Sequence, residues 1–126
     1  MFDIPEVMRM AQGMARHAAA RQVVIAENIA QANTPGYQAR DLPDFGTHYA
    51  QRSGLKATHP RHIDSSATPL GARALLDPSA PFVSPNGNTV SLEREMIRSA
   101  HNRQAHDMAL SIYGSARTIL RTSLGR

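Results

Sequence analysis

The sequence predicts an all-α fold in which long N- and C-terminal helices pack as a coiled-coil-like pair. Between them lies an irregular Pro/Gly-rich segment with room for a short β-hairpin. Three observations lead there. Seven of the eight prolines and five of the eight glycines fall between residues 33 and 89, twelve breakers in 57 residues, too dense for a long helix. The flanks carry almost none and instead repeat small apolar residues at alternating steps of three and four. Aromatics are only 5% of the 126 residues, with no tryptophan, so a core has to be aliphatic and helical. The sequence divides accordingly into an N-terminal helix (1–33), an irregular centre (34–89) and a C-terminal helix (90–126), together one structural domain.

The first helix opens on usable signals. Asp3 can cap the free amides of the first turn, Pro5 is tolerated there, and Glu6 completes a D-x-x-E box. Val7, Ala11, Met14 and Ala18 then step by four, three and four along one face, and Ile25, Ile29 and Ala32 resume it after a polar break at Arg21 and Gln22. So narrow a stripe, much of it alanine, suits packing along another helix better than covering a broad core. Roughly 27 residues make a rod of about 40 Å.

The last helix mirrors it. Ser91 is the expected N-cap, with Glu93 and Glu95 placed against the positive end of the helix dipole. Ala105, Ala109, Ile112, Ala116 and Ile119 form the seam, and Leu92, Met96 and Ala100 extend it upstream with a drift in phase. Arg103 and Asp107 are spaced to pair at i,i+4, and Arg117 and Arg121 complement the negative end of the dipole. About 34 residues would reach about 51 Å. Alanine seams bury little apolar area against the backbone entropy of folding. The helices are therefore expected to order against copies of the protein or related proteins, with an intramolecular helical hairpin as the competing arrangement.

The first helix must stop within Asn28-Ile29-Ala30-Gln31-Ala32-Asn33-Thr34-Pro35-Gly36-Tyr37. Asn33 is a natural helix-ending residue, and Thr34 precedes a proline and so avoids helical angles. Pro35 and Gly36 suit the two central positions of a type II turn, glycine supplying the positive φ. Tyr37 can fold back with an apolar ring and a hydroxyl that needs a partner.

This run, continued by Ala39-Arg40-Asp41-Leu42, resembles the A-N-x-x-T-P-G-Y signature of the flagellar axial proteins, the family of rod and hook subunits. The later Gly87-Asn88-Thr89-Val90-Ser91-Leu92-Glu93-Arg94-Glu95-Met96 and the short length are similar to its proximal rod members. The likeness covers about residues 4–45 and 85–124. Gln31 stands where the family commonly has asparagine, Pro43 is inserted between Leu42 and Asp44, and Asn86 takes the usual aspartate place of a D-G-N turn. Residues 46–84 carry no family motif.

The resemblance implies two-helix structural subunits lining a tubular, helical assembly that passes torque and continues an export channel. The implied partners are other copies of the protein, other proximal and distal rod proteins, a FliE-like adaptor and the MS ring, and the flagellar type III export apparatus. It also implies residence in a rod that spans the periplasm, reached without a cleaved signal. The start, Met1 to Pro5, indeed lacks the basic-then-apolar pattern of such a signal.

Other chemistries find little support. The absence of cysteine excludes a disulfide framework, thiolate metal sites and a cysteine nucleophile. His59-Pro60-Arg61-His62 gives H-x-x-H with no further ligand at a familiar spacing, and His101 and His106 diverge around a helix, so no metal or other cofactor is expected. Ser84 and Ser91 lack a nucleophile elbow, and Gly-rich phosphate loops are missing, so neither an enzyme nor a small-molecule substrate is expected. The net charge of +4 is concentrated C-terminally. Arg94, Arg98, Arg103, Arg117 and Arg121 make a small basic nucleic-acid-binding regulator the rival reading. However, acids are interspersed and Lys56 is the single lysine, so no nucleic acid is expected. An apolar seam made mostly of alanine lacks the anchors of a membrane-surface helix.

Overall fold

The computed structural model describes residues 4–51, 73–80 and 83–125. The Asp3 cap, Lys56 and the His59/His62 pair lie outside them. Helix α1 runs Ile4–Ala30, strand β1 Arg40–Asp41, helix α2 Phe45–Gln51, strand β2 Leu75–Leu76 and helix α3 Leu92–Ser123. Among the described residues no helix is long and apolar enough to cross a membrane.

The body of the molecule is an antiparallel pair of α1 and α3. Asn28 meets Glu95 at one end, Ala18 meets Asn102 midway, and Ile4 lies beside Ile119 at the other end. The seam therefore closes within one molecule. Its period is a strict seven: Glu95, Asn102, Ala109 and Ala116 are buried on α3, and Ala11, Ala18 and Ile25 on α1, with His17 and Val24 one position back. A seven-residue repeat keeps one row of each helix facing its partner. Alanine on both sides lets the backbones approach closely, and Ala109 has no exposed surface at all.

Two expectations about this seam need correction. Leu92, Met96 and Ala100 do not continue it: Leu92 is 48% and Met96 61% exposed, and Ala100 also faces outward. The phase does not drift, because the heptad runs on through the polar residues Glu95 and Asn102, whose side chains find partners on α1. A hydrophobicity pattern passes over such positions. Ile112 and Ile119, expected in the seam, are also largely exposed, at 39% and 56%. The close alanine contact buries only the central row and leaves the flanking row at the rim, where Val7, Met14, Ile29 and Ala105 are half-buried.

The helix ends differ in detail from expectation as well. Ser91 holds the N-cap position of α3, but its side chain makes no capping hydrogen bond. Asp107 lies 3.8 Å from His106 instead of closing on Arg103. In the centre, α2 is an element that no hydrophobic pattern announced. Asp44 starts it, its carboxylate accepting from the Gly46 amide at 3.0 Å and its carbonyl from the His48 amide at 3.0 Å. The strands form a two-residue antiparallel ladder, Arg40 opposite Leu76 and Asp41 opposite Leu75, which joins segments distant in sequence and is no tight hairpin.

Enlarging Ala109 to leucine should overpack the seam and cost about 1–3 kcal/mol. Met108→Ala, next to it but 51% exposed, should shift stability by no more than about 0.5 kcal/mol. Thermal unfolding followed by circular dichroism compares the two.

Candidate functional site

Thr34 to Tyr37 form a turn closed by the Tyr37 amide donating to the Thr34 carbonyl at 3.3 Å, with Gly36 at φ +71°. A second turn, Ser84 to Gly87, is closed at 2.8 Å and leaves Gly87 at φ +79°. The two glycines stand back to back: a Cβ on Gly87 would lie 3.5 Å from the Gly36 Cα. The Gly36 amide donates to the Asn86 carbonyl at 3.0 Å and the Thr89 amide to the Tyr37 carbonyl at 3.0 Å. The segments that carry the two sequence motifs, about fifty residues apart, are thus one structure.

Two buried amides close it. The Asn88 side-chain nitrogen reaches the carbonyls of Gln31, Ala32 and Thr34 at 2.9, 2.9 and 2.8 Å, capping the end of α1, while its oxygen accepts from the Val90 amide at 2.7 Å. The Asn28 side-chain nitrogen donates to the Arg40 carbonyl at 2.7 Å and to Glu95 Oε2 at 3.1 Å. Its oxygen accepts from the Arg40 amide at 3.1 Å and the Tyr37 hydroxyl at 3.2 Å. Burial raises the Tyr37 pKa above its ordinary value of 10.0. Thr89 completes the cluster, its hydroxyl accepting from the Ala39 amide at 2.8 Å.

Beside this lock runs a series of ion pairs. Arg21 grips Asp41 with two hydrogen bonds, at 2.8 and 2.6 Å. Arg98 reaches Asp77 at 2.6 Å, Glu95 at 3.1 Å and Asp41 at 3.9 Å. Arg94 adds a contact to Asp77 at 3.7 Å. Three cations face three anions and link α1, β1, the residue after β2, and α3. Burial pushes the Asp77 carboxyl up, but hydrogen bonds from Ser79 and Arg98 outweigh it and hold the pKa below 3.8. For Arg98, burial lowers the pKa, but Asp77, Asp41 and Glu95 together outweigh that cost, so the pKa is raised. Next to the network, His17 is only 5% exposed and its Nε2 donates to the Pro43 carbonyl at 2.8 Å, with Phe45 edge-on at 5.7 Å. Burial, then Arg21 and His48, keep its imidazole below 6.5 despite the opposing Pro43 carbonyl and Asp44.

Of the motif residues, Asn28, Tyr37, Arg40 (through its backbone), Gly36, Gly87, Asn88 and Glu95 converge here, and Ala39, Leu42 and Val90 are buried around them. Asn33, Thr34 and Pro35 stay on the exposed rim of the turn, and the side chains of Leu92, Glu93 and Met96 point away. Glu95 is not the exposed dipole partner its first-turn position suggested: it is 1% exposed and bonded across the pair. Sequence reasoning passed over Asp77 and Asn102 and gave Arg21 and Arg98 other roles. Arg21 and Gln22, read as an interruption of the stripe, are contacts themselves: Gln22 bonds Ser99 at 2.9 Å and Asn102 at 3.0 Å. Arg94 and Arg98, two of the five arginines behind the nucleic-acid reading, are held by internal anions.

Fold and lock define a helical-pair protein whose motif side chains bind its own two ends together. No family model matches the sequence. It is 36% identical over 126 residues to the flagellar basal body rod protein FlgB of Salmonella typhimurium, covering 91% of each protein. It is 37% identical over 122 residues to the protein of that name in Escherichia coli K12, covering 88% of each, and 33% identical over 117 residues to that of Yersinia enterocolitica, covering 85% of each. The chain belongs to the FlgB family of flagellar basal body rod proteins.

Removing the Glu95 carboxylate (Glu95→Ala) strands the Asn28 amide and one contact of Arg98, and should cost about 3 kcal/mol in chemical denaturation. The pH dependence follows from two depressed values. His17 and Asp77 both bind protons more weakly in the folded state than in the unfolded one. Their contributions are therefore complete above about 6.5 and 3.8 respectively, and are lost as pH falls through the folded values. Stability should fall in two stages on acidification, and His17→Gln should abolish the first stage while leaving the second.

Proposed function

We propose that the protein is a structural subunit of the proximal rod of the flagellar basal body. Copies of it assemble with other rod proteins into the tube that transmits torque and continues the export channel. The observation that carries this reading is the outer surface of the helix pair. Met96, Ile97, Met108, Leu110 and Ile119 on α3 are all more than half exposed. Along one side of the pair, Val7 and Ile112 join two apolar hollows of about 300 and 320 Å³, the first lined also by Ile4 and Ile119, the second by Met10, Met14, Phe45 and Tyr49. So much apolar surface calls for neighbouring subunits. A lock that consumes the polar groups of the motif internally makes the pair a rigid unit able to carry load. Heterologous contacts that do not close on themselves generate the helical tube a shaft requires.

The relatives are rod proteins by name, which supports the same assignment. The partners in this reading are other rod proteins, a FliE-like adaptor and the MS ring, and the subunit reaches its place through the flagellar export apparatus.

A clean in-frame deletion should yield non-motile cells whose isolated basal bodies show rings without a rod by electron microscopy, rescued by the intact gene in trans. Normal rods would overturn the assignment. Gly36→Val meets no neighbour within 4 Å at the added Cβ but opposes φ +71°. It should block rod assembly and motility more than it lowers soluble yield.

A further inference from the structure

The turn at Ser84–Gly87 contains an Asn-Gly dipeptide whose backbone is tied into the lock. Asn86 and Gly87 are both exposed. Glycine lacks a Cβ, so its amide nitrogen can approach the carboxamide of the residue before it with little steric hindrance. In the fold the Gly87 N–H and the Asn86 carboxamide are each held in place by another backbone group. The Gly87 amide donates to the Ser84 carbonyl at 2.8 Å, and Asn86 Oδ1 accepts from the Asn88 amide at 3.1 Å. The loop is pinned in turn by the Asn88 carbonyl accepting from the Ser84 amide at 2.8 Å, by the Gly36 amide on the Asn86 carbonyl, and by the Asn88 carboxamide on the end of α1.

We propose that Asn86–Gly87 is a self-modification site gated by the docking of this loop. The Gly87 nitrogen attacks Asn86 Cγ and a new C–N bond forms. The bond from Cγ to Nδ2 breaks, and ammonia leaves with the proton of the Gly87 amide, giving a five-membered succinimide. Water then opens the ring at one of its two carbonyls, yielding aspartate or isoaspartate. No oxidant or cofactor enters the balance.

The two products differ in their effect on the lock. Aspartate keeps a side-chain oxygen for the Asn88 amide and adds one negative charge to a protein of net +4. Isoaspartate routes the backbone through Cβ and Cγ, adding one carbon between the residue-86 Cα and the Gly87 nitrogen, and turns the carbonyl that holds Gly36 into a free carboxylate outside the main chain. It therefore undoes the contact between the two turns. Docked molecules keep Asn86, whereas molecules whose two ends have not locked accumulate both products.

The test incubates the full-length protein in mildly alkaline buffer, native and in guanidinium. Peptide mapping by mass spectrometry follows the one-dalton gain at Asn86, and isoaspartyl methyltransferase labelling reports the isoaspartate fraction. Asn33, exposed but followed by threonine, is the internal reference. Asn86 should convert at least about tenfold faster in guanidinium than in the native protein, the difference being the cost of opening the loop. Asn88→Ala, which keeps the reactive dipeptide but frees the loop from α1, should approach the unfolded rate in native buffer. If that variant loses its helix content, Thr89→Val, which removes only the acceptor for the Ala39 amide, replaces it and should show an intermediate rate. Equal rates in native and unfolded wild type, no conversion at Asn86 in guanidinium, or a folded loop variant as slow as wild type would each overturn the proposal.

Discussion

A primary amide removed from water has to satisfy two N–H groups and a carbonyl oxygen, or each unsatisfied group costs on the order of 1–3 kcal/mol. Asn28 and Asn88 are 0% and 1% exposed, and the arrangement of the surrounding backbone follows from meeting that demand. Asn28 draws in the Arg40 backbone, Tyr37 and Glu95. Asn88 gathers the carbonyls of Gln31, Ala32 and Thr34 just past the end of α1, so the exit from the helix is held by a residue 54 or more positions away. The two turns that bring these segments together each rest on a glycine at positive φ, a conformation in which a Cβ would be strained. The departure of the backbone from α1, its return and the start of α3 are therefore one cooperative unit.

The helix pair extends from that unit with polar residues in its own seam. Glu95 and Asn102 occupy heptad positions that would ordinarily be apolar, each satisfied across the interface by Asn28, Ala18 and Gln22. Polar groups in a seam specify register, because sliding one helix past the other would bury them without partners. The remaining seam is mostly alanine, which tolerates close approach but selects no register by shape. In this pair the polar residues set the alignment and the small residues set the separation. The ion pairs through Arg21, Asp41, Arg98 and Asp77 extend the same fixing to the central segment, tying β1 to both helices and the residue after β2 to α3.

The outer surface of α3 carries apolar side chains among its charged ones, Met96, Ile97, Met108, Leu110 and Ile119 being more than half exposed, whereas the outward side of α1 carries Glu6, Arg9, Gln12, Arg16 and Glu27. The lock and the rod thus draw on different parts of the pair: the internal network makes each pair rigid, and the exposed apolar residues of α3 offer contacts to neighbours.

Much of this was legible in the sequence. Breaker density separated the two helices from the centre, the step of three and four placed Ala11, Ala18, Ile25, Ala109 and Ala116 on their faces, and the Pro35-Gly36 pair marked a turn needing positive φ. These are local properties, set within a few residues along the backbone. The sequence could not announce that Glu95 and Asn102 lie in the seam while Leu92 and Met96 face outward and Ile112 and Ile119 stay on its rim, because a polar residue is buried only when a distant partner satisfies it. Nor could it reveal that Asn88 caps α1 or that Asp77 answers Arg98. Those pairings join residues that are adjacent only once the two ends of the protein have met. Local periodicity and turn chemistry determined the elements, and the tertiary structure alone decided which polar groups would be buried, because burial has to be satisfied at long range.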